Sequence, residues 1–584
     1  MQPVDLTTLM AVVHDLQRDW VPCRCEQVVQ WQTTCLALAL RTFDQRGWLT
    51  LSWHPQAARL HLGEAPPRGQ DTFTFSQQLK HQLNQLVLVA ITPLAPWERV
   101  VDLQFAQRPG DPPLWHLYVE IMGKYSNVIL VNAQGQIVTA AHQVSEQQSR
   151  VRPIQTGEPY QPPPALLGPC PSRQESLPGW QERLTLVPGP LGKVLLQSYR
   201  GLSSSLVRSL LAQAQIEPQR DAGQLTPTDW DRLFQVWQRW LGALETGDWH
   251  PALTADGYTL LAWDQPGEAS VHQVLQGYYR AELDRQRFSQ LHNQLQQKLK
   301  TALAKVQHKA EGFRQRLADS VQADPLRQQA DLLMAYSHQW QPGLTQLTLP
   351  DFATGAPTTI PIDPDKTAIQ QAQRLYRQHQ KLQRARQVVV PLLTAVEAEL
   401  AYLQQVEASL KQLTTYQEPA DLEALGEIEQ ELIQQGYLVV PDYRPPAPGR
   451  AQPEGFRRHL SPDGLPVWVG RNNRQNDLLI STVAGDYDLW FHSQEIPGSH
   501  VLLRLEPGQA PSDRDLRYAA DLAAYFSQAR QADQVPVVYT QPRHVYKPKG
   551  ARPGMVIYKQ ETVIWGQPRR VEAEFKLEVD NGSS

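Results

Sequence analysis

Four short stretches late in the chain hold the side chains best suited to chemistry: "GRNNRQNDLLI" from residue 470, "DLWFH" from 488, "IPGSHVLLR" from 496 and "VYKPKGARPG" from 545. They pool amides, imidazoles, cations and aromatic rings, a set that suits recognition of an anionic polymer better than bond-breaking. Arg471, His492, His500, Lys547, Lys549 and Arg552 carry donors for phosphate and sugar oxygens, and none suits a core without a partner. From Arg543 to Lys559 there are five basic residues and no acid, with Tyr546 and Tyr558 among them. Cations beside aromatics match a single-stranded or looped nucleic acid, whose phosphates meet the charge while its bases stack. Asn472, Asn473, Asn476 and Asp477 allow two readings: turn residues that satisfy backbone groups, or direct RNA contacts. Trp490 and Phe491 read as core.

Other reactive patterns are missing from the sequence. It contains no phosphate-binding P-loop and no nucleophile elbow. Cys23 and Cys25 are a tempting pair, but no second CxxC or histidine pair completes a zinc set, so neither metal nor cofactor is expected and the two thiols read as residues at a strand start. Four cysteines (Cys23, Cys25, Cys35, Cys170) in 584 residues fit a reducing compartment. No apolar run approaches the roughly 18 residues of a bilayer span, and acids stand near the N-terminus where a signal peptide would be basic. The expectation is a cytoplasmic protein with no membrane partner.

Elements to position these groups can be read from periodicity and punctuation, and they predict an α+β multidomain chain. Residues 1–152 open with a helix and continue as strands, the last two forming a hairpin turned at Asn132-Ala133-Gln134-Gly135. Prolines crowd residues 153–190, a linker. Within 191–250, two helices meet at Gly201, the second capped by a serine of the Ser203–Ser205 run, as in a helix-hairpin-helix module or a plain helical hairpin. Residues 452–572 read as an α+β domain with a hairpin turned at Asp463-Gly464.

Between these lies a heptad pattern. Leu299, Val306 and Phe313 alternate with Leu303, Ala310 and Leu317, and Leu382, Val389, Val396, Leu403 and Leu410 alternate with Leu393 and Leu400. Residues 270–319 and 366–432 thus predict the arms of a long antiparallel coiled-coil hairpin, with 320–365 as a tip insert and a kink at Pro391.

The formal net charge is only −4, so any affinity for nucleic acid must come from local segregation of charge. Such segregation is present on the arms. Arg280 to Leu317 holds nine cations against three acids, and Lys366 to Arg386 holds six cations and no acid. An antiparallel pairing is expected to bring the two basic stretches together near the tip. Mixed charge is the usual solvated face of a coiled coil; one-signed charge points to a phosphate backbone, with Lys305, Lys309, Arg314, Arg377 and Lys381 as the docking residues.

With these motifs in place, the chain resembles the NFACT family over nearly its whole length. The four C-terminal stretches are similar to the family's RNA-binding domain, "ERVVDLQF" and "YVEIMGKYSNVIL" to its N-terminal domain, and "RPIQTGEPYQPPP" and "DPDKTAIQQAQRLYRQHQKLQRA" to its linker and coiled coil. The resemblance implies an N-terminal domain distantly like formamidopyrimidine-type glycosylases. It also implies a role in ribosome-associated quality control: binding a large ribosomal subunit that still carries peptidyl-tRNA, recruiting alanyl-tRNA, and supporting an untemplated C-terminal alanine tail that marks the chain for degradation. The coiled coil would reach along the subunit and the terminal domains would hold tRNA, with a small RNA-binding helper protein as a further partner. The family's functional Asp-Arg pair falls on Glu98 and Arg99, glutamate replacing aspartate, and its second cluster on Glu120, Ile121 and Met122, all as tRNA-binding residues. No catalytic residue is implied; the ribosome would perform peptidyl transfer. The competing readings are a general rRNA- and tRNA-binding ribosome-assembly factor and a fibronectin-binding surface adhesin, the latter opposed by the lack of an export signal. Glycosylase activity is opposed by Pro3 lying behind Gln2.

Overall fold

The computed structural model describes residues 1–581 apart from 68, 70, 166, 265–268 and 441–454, so the first residues of the predicted 452–572 domain lie outside the described part. It separates into two compact units, Met1–Leu283 and Asp284–Ser584.

In the first unit α1 (Leu6–Asp19) starts at Asp5, whose carboxylate accepts from the Thr8 N–H at 2.8 Å. Leu6, Leu9, Val12, Val13 and Leu16 recur at helical spacing and form its buried face. Nine antiparallel strands follow: β1 (Cys23–Gln32), β2 (Cys35–Arg41), β3 (Arg46–Ser52), β4 (Arg59–Gly63), β5 (Val87–Pro93), β6 (Val100–Ala106), β7 (Trp115–Glu120), β8 (Asn127–Asn132) and β9 (Ile137–Ala140). They form one sheet in the order β4-β3-β2-β1-β5-β6-β7-β8-β9, and α2 (Thr74–Leu83) interrupts the chain between β4 and β5. The β8–β9 turn is at the predicted place, with Gly135 at φ +79 donating to the Asn132 carbonyl at 2.9 Å. Cys23 and Cys25 are buried in β1, and burial pushes both thiols up to about 12, so neither is a thiolate near neutral pH.

Helices α3 (Leu177–Thr185), α4 (Leu191–Ser198), α5 (Ser204–Gln213) and α6 (Pro227–Thr246) share one core with the sheet, built around Trp180, Trp237 and Trp240. Ser203 caps α5, accepting from the Leu206 N–H at 3.0 Å. Gly201 is required twice over: its φ is +80, and a Cβ there would come within 2.8 Å of Trp97. The short hairpin β10 (Ala252–Thr254) and β11 (Gly257–Thr259) precedes α7 (Val271–Ser320).

In the second unit, the later part of α7 packs antiparallel on α9 (Ala368–Gln412). Leu299, Leu303, Val306 and Ala310 meet Leu393, Val396, Leu403 and Leu410 in one core, which α10 (Pro419–Gln434) completes through Leu425, Ile428 and Leu432. Pro391 lies on the exposed side of α9, which continues past it as helix. Ahead of α9 come α8 (Ala323–Ala335) and the hairpin β12 (Gln346–Pro350) and β13 (Pro357–Pro361), gathered around Leu333, Leu349, Ile360 and Leu375.

The expected meeting of the two basic stretches does not occur. Arg314 faces Glu397 at 2.8 Å, and His379 contacts the Ala323 carbonyl at 2.9 Å. The Lys298–Arg316 stretch therefore lies against the acidic part of α9, while the second stretch runs beside α8 from Tyr376 to Gln383. Hydrophobic register decides this, because α8 takes over from α7 as the partner of α9 once α7 ends.

The C-terminal sheet has the order β14-β15-β17-β16-β18-β21, from β14 (Arg457–Leu460), β15 (Pro466–Val469), β16 (Leu489–Ser493), β17 (Val501–Leu503), β18 (Val535–Thr540) and β21 (Thr562–Gly566). Gly464, at φ +83, closes the predicted β14–β15 turn. One face is covered by α12 (Asp513–Tyr525) and α13 (Pro568–Asn581). The other carries α11 (Asn473–Leu478) and the small hairpin β19 (Val545–Tyr546) and β20 (Ile557–Tyr558). Strand alternation sends Phe491 into the first core and Trp490 into the second, both fully buried. Among the described residues no helix is long and apolar enough to cross a membrane.

Candidate nucleic-acid interface

The N-terminal candidates lie together at one end of the nine-stranded sheet. Val100 of β6 pairs with Glu120 of β7, and the ladder runs one step further because the Ile121 N–H donates to the Arg99 carbonyl at 2.9 Å. Glu98–Arg99 and Ile121–Met122, remote in sequence, are thus adjacent backbone. The loop before them is pinned by Trp97, which adopts φ +65 and packs edge-on against Trp240 at 6.0 Å. Glu98, Arg99 and Met122 stay partly exposed, while Ile121 is buried.

Glu120 has a different role from its neighbours. It is 1% exposed and accepts from both terminal nitrogens of Arg152, one at 2.9 Å, and from the Tyr160 hydroxyl at 2.9 Å. Burial, and then the Glu120 charge, push the Tyr160 phenol well up. Tyr160 also stacks on Tyr118 at 4.1 Å. Glu120 therefore clamps the start of the linker to the sheet.

Sequence reasoning overlooked Arg152 and Tyr160, whose only signal was their place in "RPIQTGEPYQPPP". It also overlooked Lys124 and Tyr125, presented by the turn after Met122. Tyr125 is 71% exposed, with the Lys124 ammonium 5.0 Å above its ring, a cation and a flat face side by side.

In the second unit the amide-rich segment docks onto α10. Arg471 donates to the Gly455 carbonyl at 2.8 Å, to Asp421 at 2.5 Å and to Glu418. Asn472 caps α11, accepting from the Gln475 N–H at 2.9 Å, and gives its amide to Glu427 at 2.8 Å. Asn473 donates to Glu431 at 2.9 Å, and Asn476 accepts from the His500 N–H at 3.0 Å. Asp477 accepts from the Gly554 N–H at 3.1 Å and from Lys547. Arg552 donates to the Tyr437 hydroxyl at 2.7 Å and lies 4.8 Å from the Tyr402 ring. The acids at the start of and along α10 thus receive the donors of Arg471, Asn472 and Asn473. Burial raises the Glu431 carboxyl, with Asn473 and Tyr402 opposing through hydrogen bonds.

The two histidines expected at phosphate are packed with Trp490. His492 stacks on Trp490 at 5.8 Å and His500 meets it edge-on at 5.3 Å. Burial pulls His492 down to about 4 and His500 well below its ordinary value, so both are neutral near pH 7.

Of the basic residues between Arg543 and Lys559, Arg543, Lys547, Lys549 and Lys559 stay at the surface, beside Tyr546, which is 42% exposed and has the Lys559 ammonium 5.7 Å from its ring. A cavity of about 410 Å³ lies against Arg543, Tyr546, Lys547 and Asp477. Lys549 has no ion-pair partner among the described residues. On the helical hairpin Lys305, Lys309, Arg314, Arg377 and Lys381 are all exposed, and of these Arg314 is committed to Glu397. Among the described residues no group of three or more histidine, cysteine or carboxylate side chains is placed to hold a metal ion.

Comparison with known proteins covers both units. The family model for the NFACT N-terminal and middle domains matches residues 5–446, and that for the NFACT protein RNA binding domain matches residues 455–560. The Rqc2 homolog RqcH of Streptococcus suis (strain 05ZYH33) is 31% identical over 543 residues, 91% of each chain. The Rqc2 homolog RqcH of Bacillus subtilis (strain 168) is 27% identical over 575 residues, 95% of this chain and 96% of its own. Among solved structures, the C-terminal part of the fibronectin/fibrinogen-binding protein from Streptococcus suis is 30% identical, covering 48% of this chain and 96% of that one at a TM-score of 0.36.

Proposed function

The chain belongs to the NFACT family, and on that premise we propose that it is a ribosome quality-control factor that binds large subunits still carrying peptidyl-tRNA, recruits alanyl-tRNA and promotes untemplated C-terminal alanine tailing. The observation that carries the reading is the hydrogen bond between Ile121 and Arg99, which joins two separate clusters into one partly exposed edge. On this reading Glu98, Arg99 and Met122 meet tRNA there. Lys547 and Lys549 contact RNA phosphate from the C-terminal domain, and the exposed cations of α7 and α9 dock on ribosomal RNA.

The protein's part is positioning. An aminoacyl ester is already activated, so holding two tRNAs in reacting geometry supplies several kcal/mol of the barrier without a new catalytic group. Peptidyl transfer then belongs to the ribosome, and the factor acts in the cytoplasm with no membrane partner.

Purified protein, obstructed large subunits and alanyl-tRNA, with the small RNA-binding helper added in one arm, should yield C-terminal alanines by mass spectrometry. An inhibitor of the peptidyl-transferase centre should abolish them. Tails that persist under the inhibitor, or that form without subunits, would place a catalytic site in this chain and defeat the reading.

A further inference from the structure

A cavity of about 790 Å³ in the second unit is lined by β14, the segment joining α9 to α10, the end of α12 and the side chain of Phe575. Its size lies within the roughly 300–1,000 Å³ of small-ligand sites. Four arginines line it, Arg457, Arg458, Arg471 and Arg530, against the carboxylates Glu418 and Asp421, and Arg471 already engages both acids.

Arg457 is left in a different position. Its Nη1 is buried with no hydrogen-bond partner, and so is Nε2 of His459, two residues along the same strand. Residues i and i+2 of a strand share a face, so both unused nitrogens belong to one side of β14. Burial and the Arg471 charge push Arg457 down to about 10; burial and the two arginines push His459 down to about 4. Asp421 and Glu418 act on Arg457 as counter-charges, but both are held by Arg471, and a bound anion would give the Arg457 Nη1 the acceptor it lacks.

Aromatic faces stand beside these nitrogens. The Arg457 guanidinium lies 4.7 Å from the Phe526 ring, and His459 stacks on Phe575 at 5.4 Å. Tyr525 meets Phe575 edge-on at 5.4 Å. A phosphate needs the first set of groups and a base needs the second, and stacking accepts any base. We propose that this cavity binds a nucleotide, free or as one unit of an RNA strand, with its phosphate on Arg457 and His459 and its base among Tyr525, Phe526 and Phe575.

The inference stands apart from the tRNA reading, since it concerns other residues and its failure would leave subunit and tRNA binding untouched. Calorimetry on the full chain at low salt compares adenosine monophosphate, adenosine, inorganic phosphate and a short single-stranded RNA. The monophosphate should bind at least about tenfold more tightly than adenosine or phosphate alone. Single-stranded RNA that competes with the monophosphate identifies an RNA unit as the source, and RNA that does not compete assigns the site to a free nucleotide.

Arg457→Met should weaken monophosphate binding at least about tenfold while leaving the thermal midpoint unchanged or raised, because it removes a guanidinium whose buried Nη1 has no hydrogen-bond acceptor. Phe575→Leu should weaken the monophosphate and leave inorganic phosphate unaffected. Binding of the monophosphate no tighter than phosphate, or unchanged in both variants, overturns the proposal. So does a midpoint lowered by Arg457→Met, which would make Arg457 a structural group.

Discussion

Arg471 and Asp421 meet at 2.5 Å with side chains only 6% and 7% exposed, and the same guanidinium also engages Glu418. A buried pair of this kind is valuable mainly because losing one partner strands the other charge. Arg471→Ala should therefore destabilise the second unit by roughly 3–5 kcal/mol in denaturant unfolding, and pairing it with Asp421→Asn, which removes the stranded charge and keeps an oxygen for the Gln417 and Glu418 N–H groups, should recover part of that loss. RNA affinity that falls with stability intact would instead make Arg471 a phosphate contact.

Neighbouring positions at the N-terminal edge should behave in opposite ways. Arg99→Ala is expected to leave the thermal midpoint near wild type and to remove co-purifying tRNA, since a partly exposed cation contributes under about 1 kcal/mol to folding. Glu120→Ala should lower the midpoint, because it leaves Arg152 and Tyr160 without their acceptor and costs roughly 3–5 kcal/mol. Undiminished tRNA in the Arg99 variant would return that residue to an ordinary surface role.

The exposed cations of the helical hairpin give a test by salt dependence. Replacing Lys305, Lys309, Arg377 and Lys381 with glutamate should abolish co-sedimentation with large subunits, each lost contact removing roughly 0.7 to 0.9 from the slope of log K against log salt. Arg314→Glu alone should change the slope less, because Arg314 already faces Glu397 at 2.8 Å. An unchanged slope in the fourfold variant would exclude docking through these residues.

Much of the architecture was legible because it rests on short-range rules. Heptad spacing gave Leu299, Leu303, Leu403 and Leu410 as one core, and Asp463-Gly464 gave the turn between β14 and β15. The polar residues were harder. Nothing local distinguishes Arg471, bound to carboxylates about fifty residues earlier, from Lys549, which is exposed. The amides of α11 read as turn residues or RNA contacts until the fold sets the α10 acids against them, and Glu120 looks like a site residue until Arg152 closes on it. The alignment of the two basic stretches failed for a similar reason, since the register depends on α8 replacing α7, which charge does not record.

The imidazoles around Trp490 predict how this region responds to acid. His492 has a pKa pulled down to about 4 by burial, and His500 lies well below its ordinary value for the same cause, with the Lys547 charge adding to it. Each is neutral in the folded protein, whereas the unfolded chain takes up a proton near its ordinary value of about 6.5. Below that pH the unfolded state binds more protons than the fold. Stability is thus fully present above about pH 6.5 and falls by up to about 1.4 kcal/mol per pH unit for each histidine, for His492 until about pH 4. Hydrogen-exchange protection of β16 and β17, corrected for the intrinsic rate, should fall between about pH 7 and about pH 5, and fall less in His492→Gln. Side-chain NMR of isotope-labelled histidine should find the His492 ring unprotonated throughout that range. A ring that titrates near 6.5, or protection independent of pH, would place these histidines in solvent, where they would again be available to phosphate.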